Sequence, residues 1–161
     1  MRRREAIAVT ALSAARVLGA NDRVVVGLIG CGGRGRYVSR LMKEAPGSEF
    51  GAVADVYAKN AASAREWAGG RCEAFADFRR LLDKKDIDAV LVATPDHWHA
   101  TATVLACRAG KHVYTEKPLA HNIREGRAMV EAARQSKTIV LPGMQHRSSP
   151  HFAEAAAMVQ S

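Results

Sequence analysis

RVVVGLIGCGGRGRYVSRLMKEAPGSEFGAVAD, from Arg23 to Asp55, is the stretch on which the fold turns. It opens with an apolar, β-branched run, Val24 to Ile29, the composition of a buried strand. That run enters a glycine-dense turn. Gly30, Gly32 and Gly35 fit G-x-G-x-x-G, with Gly33 an additional glycine. Val38, Leu41, Met42 and Ala45 then recur at helical spacing and predict one buried face. A second apolar run, Phe50 to Ala54, ends in Asp55, 20 positions beyond Gly35. Strand, turn, helix and strand in that order, with an acidic residue at that distance, form the pattern of a dinucleotide-binding unit.

Each residue type has a physical task in that pattern. Gly30 allows the tight turn off the strand, Gly32 lets backbone approach a pyrophosphate, and Gly35 lets the helix pack hard on the sheet. The helix start offers N–H groups without intrahelical partners and a partial positive charge. The whole turn, Gly30, Cys31, Gly32, Gly33, Arg34 and Gly35, is therefore a candidate cofactor contact. Cys31 reads as a small filler, with a reactive thiol as the alternative, since a helix start lowers a thiol's pKa. Asp55 can accept hydrogen bonds from ribose hydroxyls and would repel a 2′-phosphate, which favours NAD over NADP. Lys59, close in sequence, works against that preference. A glycine-rich turn that binds nothing is the plainer reading of the same residues.

Composition sets bounds. The 161 residues suffice for one domain with a real core. The formal charge of +8 is spread along the chain, with no basic patch interleaved with aromatics, which argues against nucleic acid. No charge-free apolar run reaches membrane-spanning length. Cys31, Cys72 and Cys107 are odd in number and widely spaced, and they suggest neither a C-x-x-C pair nor a disulfide framework. Residues 1–20 start with Arg2-Arg3-Arg4 and continue through an alanine-rich segment to Leu18-Gly19-Ala20, which resembles a twin-arginine export signal; a basic N-terminal helix is the alternative. Residues 21–148 read as the dinucleotide-binding domain.

Two further turns carry chemistry. Ile87 to Ala93 is a nearly continuous apolar strand, as expected in a parallel sheet covered on both faces. It runs into Thr94-Pro95-Asp96-His97-Trp98-His99-Ala100, which opens a helix ended by Gly110. Ligands of open α/β sheets bind outside the carboxyl ends of strands, so this turn should lie beside the glycine turn. Thr94 and Pro95 can wall the cleft. His99 is expected to hydrogen-bond near the helix start and hold the turn, and Trp98 to pack. No ligand cluster of zinc spacing accompanies His97 and His99, so no metal is expected. The next strand, Lys111 to Thr115, is followed by Glu116-Lys117-Pro118. Charges at a strand end are costly to desolvate. Lys117 can give a proton to a carbonyl, or help remove one from a hydroxyl where burial favours the neutral amine. Glu116 can reach a nicotinamide ribose, and the bond before Pro118 admits the cis form. A plain surface turn would suit these residues equally well. Asp77 and the pair Asn122 with Glu125 predict helix caps. Arg147, in the loop Pro142 to Ser149, is available to an anionic or hydroxyl-rich group. Residues 149–161 begin a helix whose pattern continues to Ser161, as expected of a linker into a further domain.

Taken in order, GLIGCGGRG, Asp55 after its strand, TPDHWHA and GKHVYTEKPLA closely resemble the Gfo/Idh/MocA family, named for glucose–fructose oxidoreductase and inositol dehydrogenase. The resemblance covers about Arg23 to Ser161, and MQHRSSP resembles the family's segment entering the substrate domain. It implies a Rossmann fold, a doubly wound parallel α/β sheet, followed by an α/β domain with a large open sheet. It implies hydride transfer between nicotinamide and a sugar or cyclitol carbon, with Lys117 as the catalytic lysine. Thr94, Pro95, His99, Glu116 and Arg147 match motif positions of the family. The family's further aspartate and histidine, its substrate pocket and its oligomer contacts belong to a second domain this chain does not include. A hydrolase that keeps NAD bound, and a non-catalytic dinucleotide-binding module, are the alternatives within this reading.

Overall fold

A computed structural model describes residues 23–160, and the expected export signal lies outside them. Six strands form one sheet: β1 (Val24–Ile29), β2 (Ser48–Ala54), β3 (Glu73–Phe75), β4 (Ala89–Val92), β5 (His112–Glu116) and β6 (Val140–Gly143). Their order is β3-β2-β1-β4-β5-β6 and every neighbouring pair is parallel. Between them run α1 (Gly33–Lys43), α2 (Ala58–Ala68), α3 (Phe78–Leu82), α4 (His99–Arg108) and α5 (Ile123–Ser136), and α6 (Pro150–Gln160) follows β6. The doubly wound parallel sheet expected from the first strand–turn–helix–strand unit is the fold observed. No described helix is long and apolar enough to cross a membrane.

The two sheet faces explain the near-continuous apolar strands. On one, Leu28, Phe50, Val53 and Leu91 pack with Val38 of α1, Ala64 of α2 and Cys72. On the other, Ile29, Val90, Val92 and Val113 pack with Leu81 and Leu82 of α3, Ala102 and Ala106 of α4, and Ala132 of α5. Alternate strand residues thus serve opposite layers, and neither face is left to water.

Local signals behave as their chemistry dictates. Asp77 accepts from the Arg79 N–H at 3.0 Å and caps α3. Asn122 accepts from the Glu125 N–H, and the Glu125 carboxylate accepts from the Asn122 side chain and the His121 N–H, each at 3.0 Å. Gly110, at φ 74°, ends α4. One expected face is corrected. Leu41 is half exposed, while Gly35, Val38, Ser39 and Met42 meet the sheet. The close approach at Gly35 sets the helix's rotation, and residues three, four and seven positions on from it share its side.

At the amino end of β5, Lys111 is buried and its ammonium donates to the carbonyls of Lys84 and Ile87, each at 2.7 Å. It fastens the turn after α3 to the sheet. Lys111→Met keeps the stem and orphans both carbonyls, so urea unfolding should show a loss of about 1–3 kcal/mol. The opposite rim, where the candidate site lies, should keep its ligand affinity.

Candidate functional site

Because all strands are parallel, the turns leaving β1, β2, β4 and β5 stand on one rim. The glycines join them. Gly30 has φ 90°, and a Cβ there would lie 2.7 Å from the Ala93 carbonyl and the Thr94 nitrogen. A Cβ on Gly35 would lie 2.0 Å from the Gly30 carbonyl oxygen. Gly32 and Gly33 differ in kind: a Cβ on either would meet nothing within 4 Å. Their neighbours do not require glycine, so the space over them is free for a ligand. Gly32 is the N-cap of α1, has no side-chain cap, and no acidic residue occupies the first turn. The N–H groups there keep their need for an acceptor, and the positive end of the helix is not neutralised.

Asp55 takes a second task beyond the one expected. Its two carboxylate oxygens accept from the N–H of Cys31 at 2.7 Å and of Tyr57 at 2.8 Å, which stitches the glycine turn to the end of β2. The Cys31 N–H is therefore engaged within the chain, which corrects its place among the cofactor contacts. Its thiol is fully buried and pushed up to about 12, first by burial and then by the charge of Asp55. The filler reading holds and the reactive thiol does not.

His99 holds the turn, as expected, and does so through both ring nitrogens. It is buried, with Nδ1 2.6 Å from the Pro118 carbonyl oxygen and Nε2 2.9 Å from that of Thr94. Both ring nitrogens face backbone, so the imidazole ties the turn after β4 to the turn after β5 and presents no nitrogen to the cleft. The Thr94 hydroxyl is a buried oxygen with no partner among the described residues.

A cleft of about 730 Å³ runs along the rim, lined by Gly30, Gly32, Asp55, Thr94 and Pro95 as expected. Asn60, Phe78, Arg79, Thr101 and Leu105 line it too and were not anticipated. Extending the strand-end rule to β3, which leads straight into α3, is the signal that points to Phe78 and Arg79. Trp98 is a wall rather than a packed core residue: it is half exposed and meets Phe78 edge-to-face at 6.3 Å.

The corner after β5 is built around Glu116, which is 3% exposed. Its Oε1 lies 2.9 Å from Nη2 of Arg34, in the first turn of α1, and its Oε2 accepts from the Lys117 N–H at 3.3 Å. Closeness of charge rather than an aligned hydrogen bond holds the ion pair, since Oε1 lacks a well-oriented donor. The contact with Glu116 raises the Arg34 guanidinium further above its ordinary range. Glu116, expected to face a ribose, thus pairs with Arg34, which was expected only as part of the glycine turn. The Lys117–Pro118 bond is cis. Lys117 itself is exposed, so the burial that favours a neutral amine is not supplied by residues 23–160. Arg147 belongs to the short turn Gln145–Ser148, and its side chain lies outside the described residues. Among the described residues, no three His, Cys, Asp or Glu side chains converge as a metal site would require.

A dinucleotide fits this arrangement. The open space over Gly32, the uncapped start of α1 and Thr94 with its unpartnered hydroxyl stand along one cleft, and Asp55 borders it.

Comparison with known proteins bears on the same residues. The family profile described as "Oxidoreductase family, NAD-binding Rossmann fold" matches residues 24–144. An inositol 2-dehydrogenase from Rubrobacter xylanophilus is 32% identical over 145 residues, 89% of this chain and 41% of that protein. A 3-ketoreductase from Actinomadura kijaniata, solved in complex with NADP and TDP-benzene, superposes with a TM-score of 0.79 at 29% identity, over 86% of this chain and 42% of that one. A WlbA dehydrogenase solved in complex with NADH and UDP-GlcNAcA gives 0.72 at 31% identity, over 78% and 36%. The chain spans well under half the length of these proteins.

The two kinds of glycine separate experimentally. Gly35→Ala should destabilise the fold by several kcal/mol, because the clash is with backbone that has nowhere to move. Gly32→Ala should change stability by less than about 0.5 kcal/mol, as for a surface site, and still weaken NAD binding severalfold. Denaturation and titration calorimetry on both variants check the contrast.

Proposed function

We propose that this chain, which belongs to the Gfo/Idh/MocA oxidoreductase family, is the coenzyme-binding part of an NAD-dependent dehydrogenase acting on a sugar or cyclitol hydroxyl or carbonyl. The observation that carries this reading is the coincidence, on one rim, of an unneutralised helix start under open space and a buried hydroxyl without a partner.

When bound, a nicotinamide coenzyme supplies the hydride acceptor or donor. The chain's own residues do the rest. The first turn of α1 holds the diphosphate through backbone N–H groups and the helix dipole. Thr94 offers its hydroxyl to the coenzyme as donor or acceptor. Asp55, fixed by two N–H groups, keeps lone pairs for the adenosine ribose and sets its charge against a 2′-phosphate, so NAD is preferred over NADP. The positions of Gly30, Pro95 and Trp98 exclude water from one wall. Lys117 follows β5 on the same rim and is exposed, so its amine can take the proton of a substrate hydroxyl, or its ammonium can give one to a carbonyl oxygen. In this reading bound substrate covers Lys117; the relatives are more than twice as long as this chain.

Lys117→Ala, in the complete enzyme, should lower turnover by roughly 10²–10⁴-fold. NAD affinity of the chain should be nearly unchanged; an unaltered rate of reduced-nicotinamide formation would remove Lys117 from the mechanism.

Asp55→Ala should weaken NAD more than NADP in calorimetric titrations. It should also cost about 1–3 kcal/mol of stability, because two N–H groups lose their acceptor. Equal loss of both coenzymes would leave Asp55 with its structural task alone.

A further inference from the structure

Arg34 occupies an unusual place. It sits in the first turn of α1, where the helix dipole disfavours a cation and where an arriving diphosphate would meet it. Its guanidinium is partly exposed and lies over the Tyr37 ring at 5.5 Å, while the carboxylate it pairs with is almost fully buried. Glu116 has little room to rearrange unnoticed. A Cβ on Gly143 would stand 3.1 Å from Oε1, and the Lys117 N–H hangs on Oε2 at 3.3 Å, a long bond that a small shift would alter. One cation at the start of α1, where the dinucleotide reading puts the diphosphate, thus already pairs with a permanent anion at the root of Lys117.

We infer that Arg34 is a positioning residue shared between Glu116 and the coenzyme's diphosphate, so that filling the phosphate site is felt at the backbone of Lys117. The inference rests on the dinucleotide reading of the glycine turn. Drawn toward a phosphate, the guanidinium loosens its hold on Oε1. A buried carboxylate that loses part of its cation must then adjust, because leaving a charge uncompensated out of water is costly. Its other oxygen carries that adjustment to the Lys117 N–H. Charge-assisted pairs of guanidinium with phosphate and with carboxylate are similar in strength, so competition between them is expected. Neither contact needs the nicotinamide ring, so the effect should arise from the diphosphate alone.

ADP is the probe, because it carries the diphosphate and ends before the second ribose. Amide nitrogen–proton NMR spectra of the chain should show Gly32 to Gly35 and Lys117 shifting together as ADP is added, with the same saturation curve. Adenosine should leave Lys117 unmoved. In Arg34→Met, ADP should still shift the glycine-turn amides, with affinity reduced severalfold, while the Lys117 shift is lost. Because Arg34→Met leaves Glu116 buried without its cation and could impair folding, Arg34→Met/Glu116→Gln is the second variant. It should bind ADP and show no Lys117 response. A Lys117 shift that persists undiminished in either folded variant, or that is missing in the unmodified chain while the glycine turn responds, overturns the inference. If ADP moves no amide of the glycine turn, the dinucleotide reading fails and takes this inference with it.

Discussion

The carbonyl of Gly30 and the Cα of Gly35 approach so closely that a single methyl group would fall 2.0 Å from oxygen. This contact fixes where α1 begins and how it is rotated on the sheet. With Gly35 against backbone, Val38, Ser39 and Met42 must face inward, and the uncapped start of the helix must point along the rim. The same turn abuts the end of β4, because Gly30 has room only for a hydrogen beside Ala93 and Thr94. The phosphate-binding end of the helix and the turn after β4 are thereby held in register by the absence of side chains.

Polar groups on the rim divide into joints and open hands. Asp55 joins the glycine turn to β2, His99 joins the turn after β4 to the turn after β5, and Arg34 with Glu116 joins α1 to β5. These are buried or half-buried groups whose partners lie within the chain. The first-turn N–H groups of α1, the Thr94 hydroxyl and the Lys117 amine are not committed in that way. A rim tied together by the first set holds the second in place, which is what positioning for a reaction demands. Asp55 belongs to both, since each of its oxygens has lone-pair capacity beyond one N–H.

What could be read from the residues follows from the range of the interactions. The strands announced themselves through β-branched apolar runs, and the glycine turn, the helix caps and the stop at Gly110 through local spacing. All of these act within a few positions. The identity of the rim was legible as well, because parallel strands send every carboxyl end the same way. The reach of His99 to the Pro118 carbonyl and the pairing of Glu116 with Arg34 were not legible. They depend on β1, β4 and β5 lying side by side, and Arg34 and Glu116 are far apart in sequence. Leu41 failed for a related reason: apolar spacing alone allowed two helix rotations, and the backbone contact at Gly35 chose the other. Trp98 was misread because a bulky aromatic beside a helix start looks like core until the cleft beside it is known.

The sign of the charge at the start of α1 also has a physical logic. A cation in the first turn of a helix is disfavoured by roughly 0.3–1 kcal/mol. Here the Glu116 carboxylate, supplied from β5, two places from β1 in the sheet, offsets that penalty and is itself made tolerable in a buried position by the same arginine. Removing either member leaves the other worse placed than in a helix that had neither. Such a pair contributes little net stability, since desolvation consumes much of the attraction. What it does supply is a partly buried guanidinium held in the first turn of α1, the turn whose N–H groups lack intrahelical partners. A phosphate arriving there meets a cation already held beside the helix start, so less of the ordering is left to the binding step.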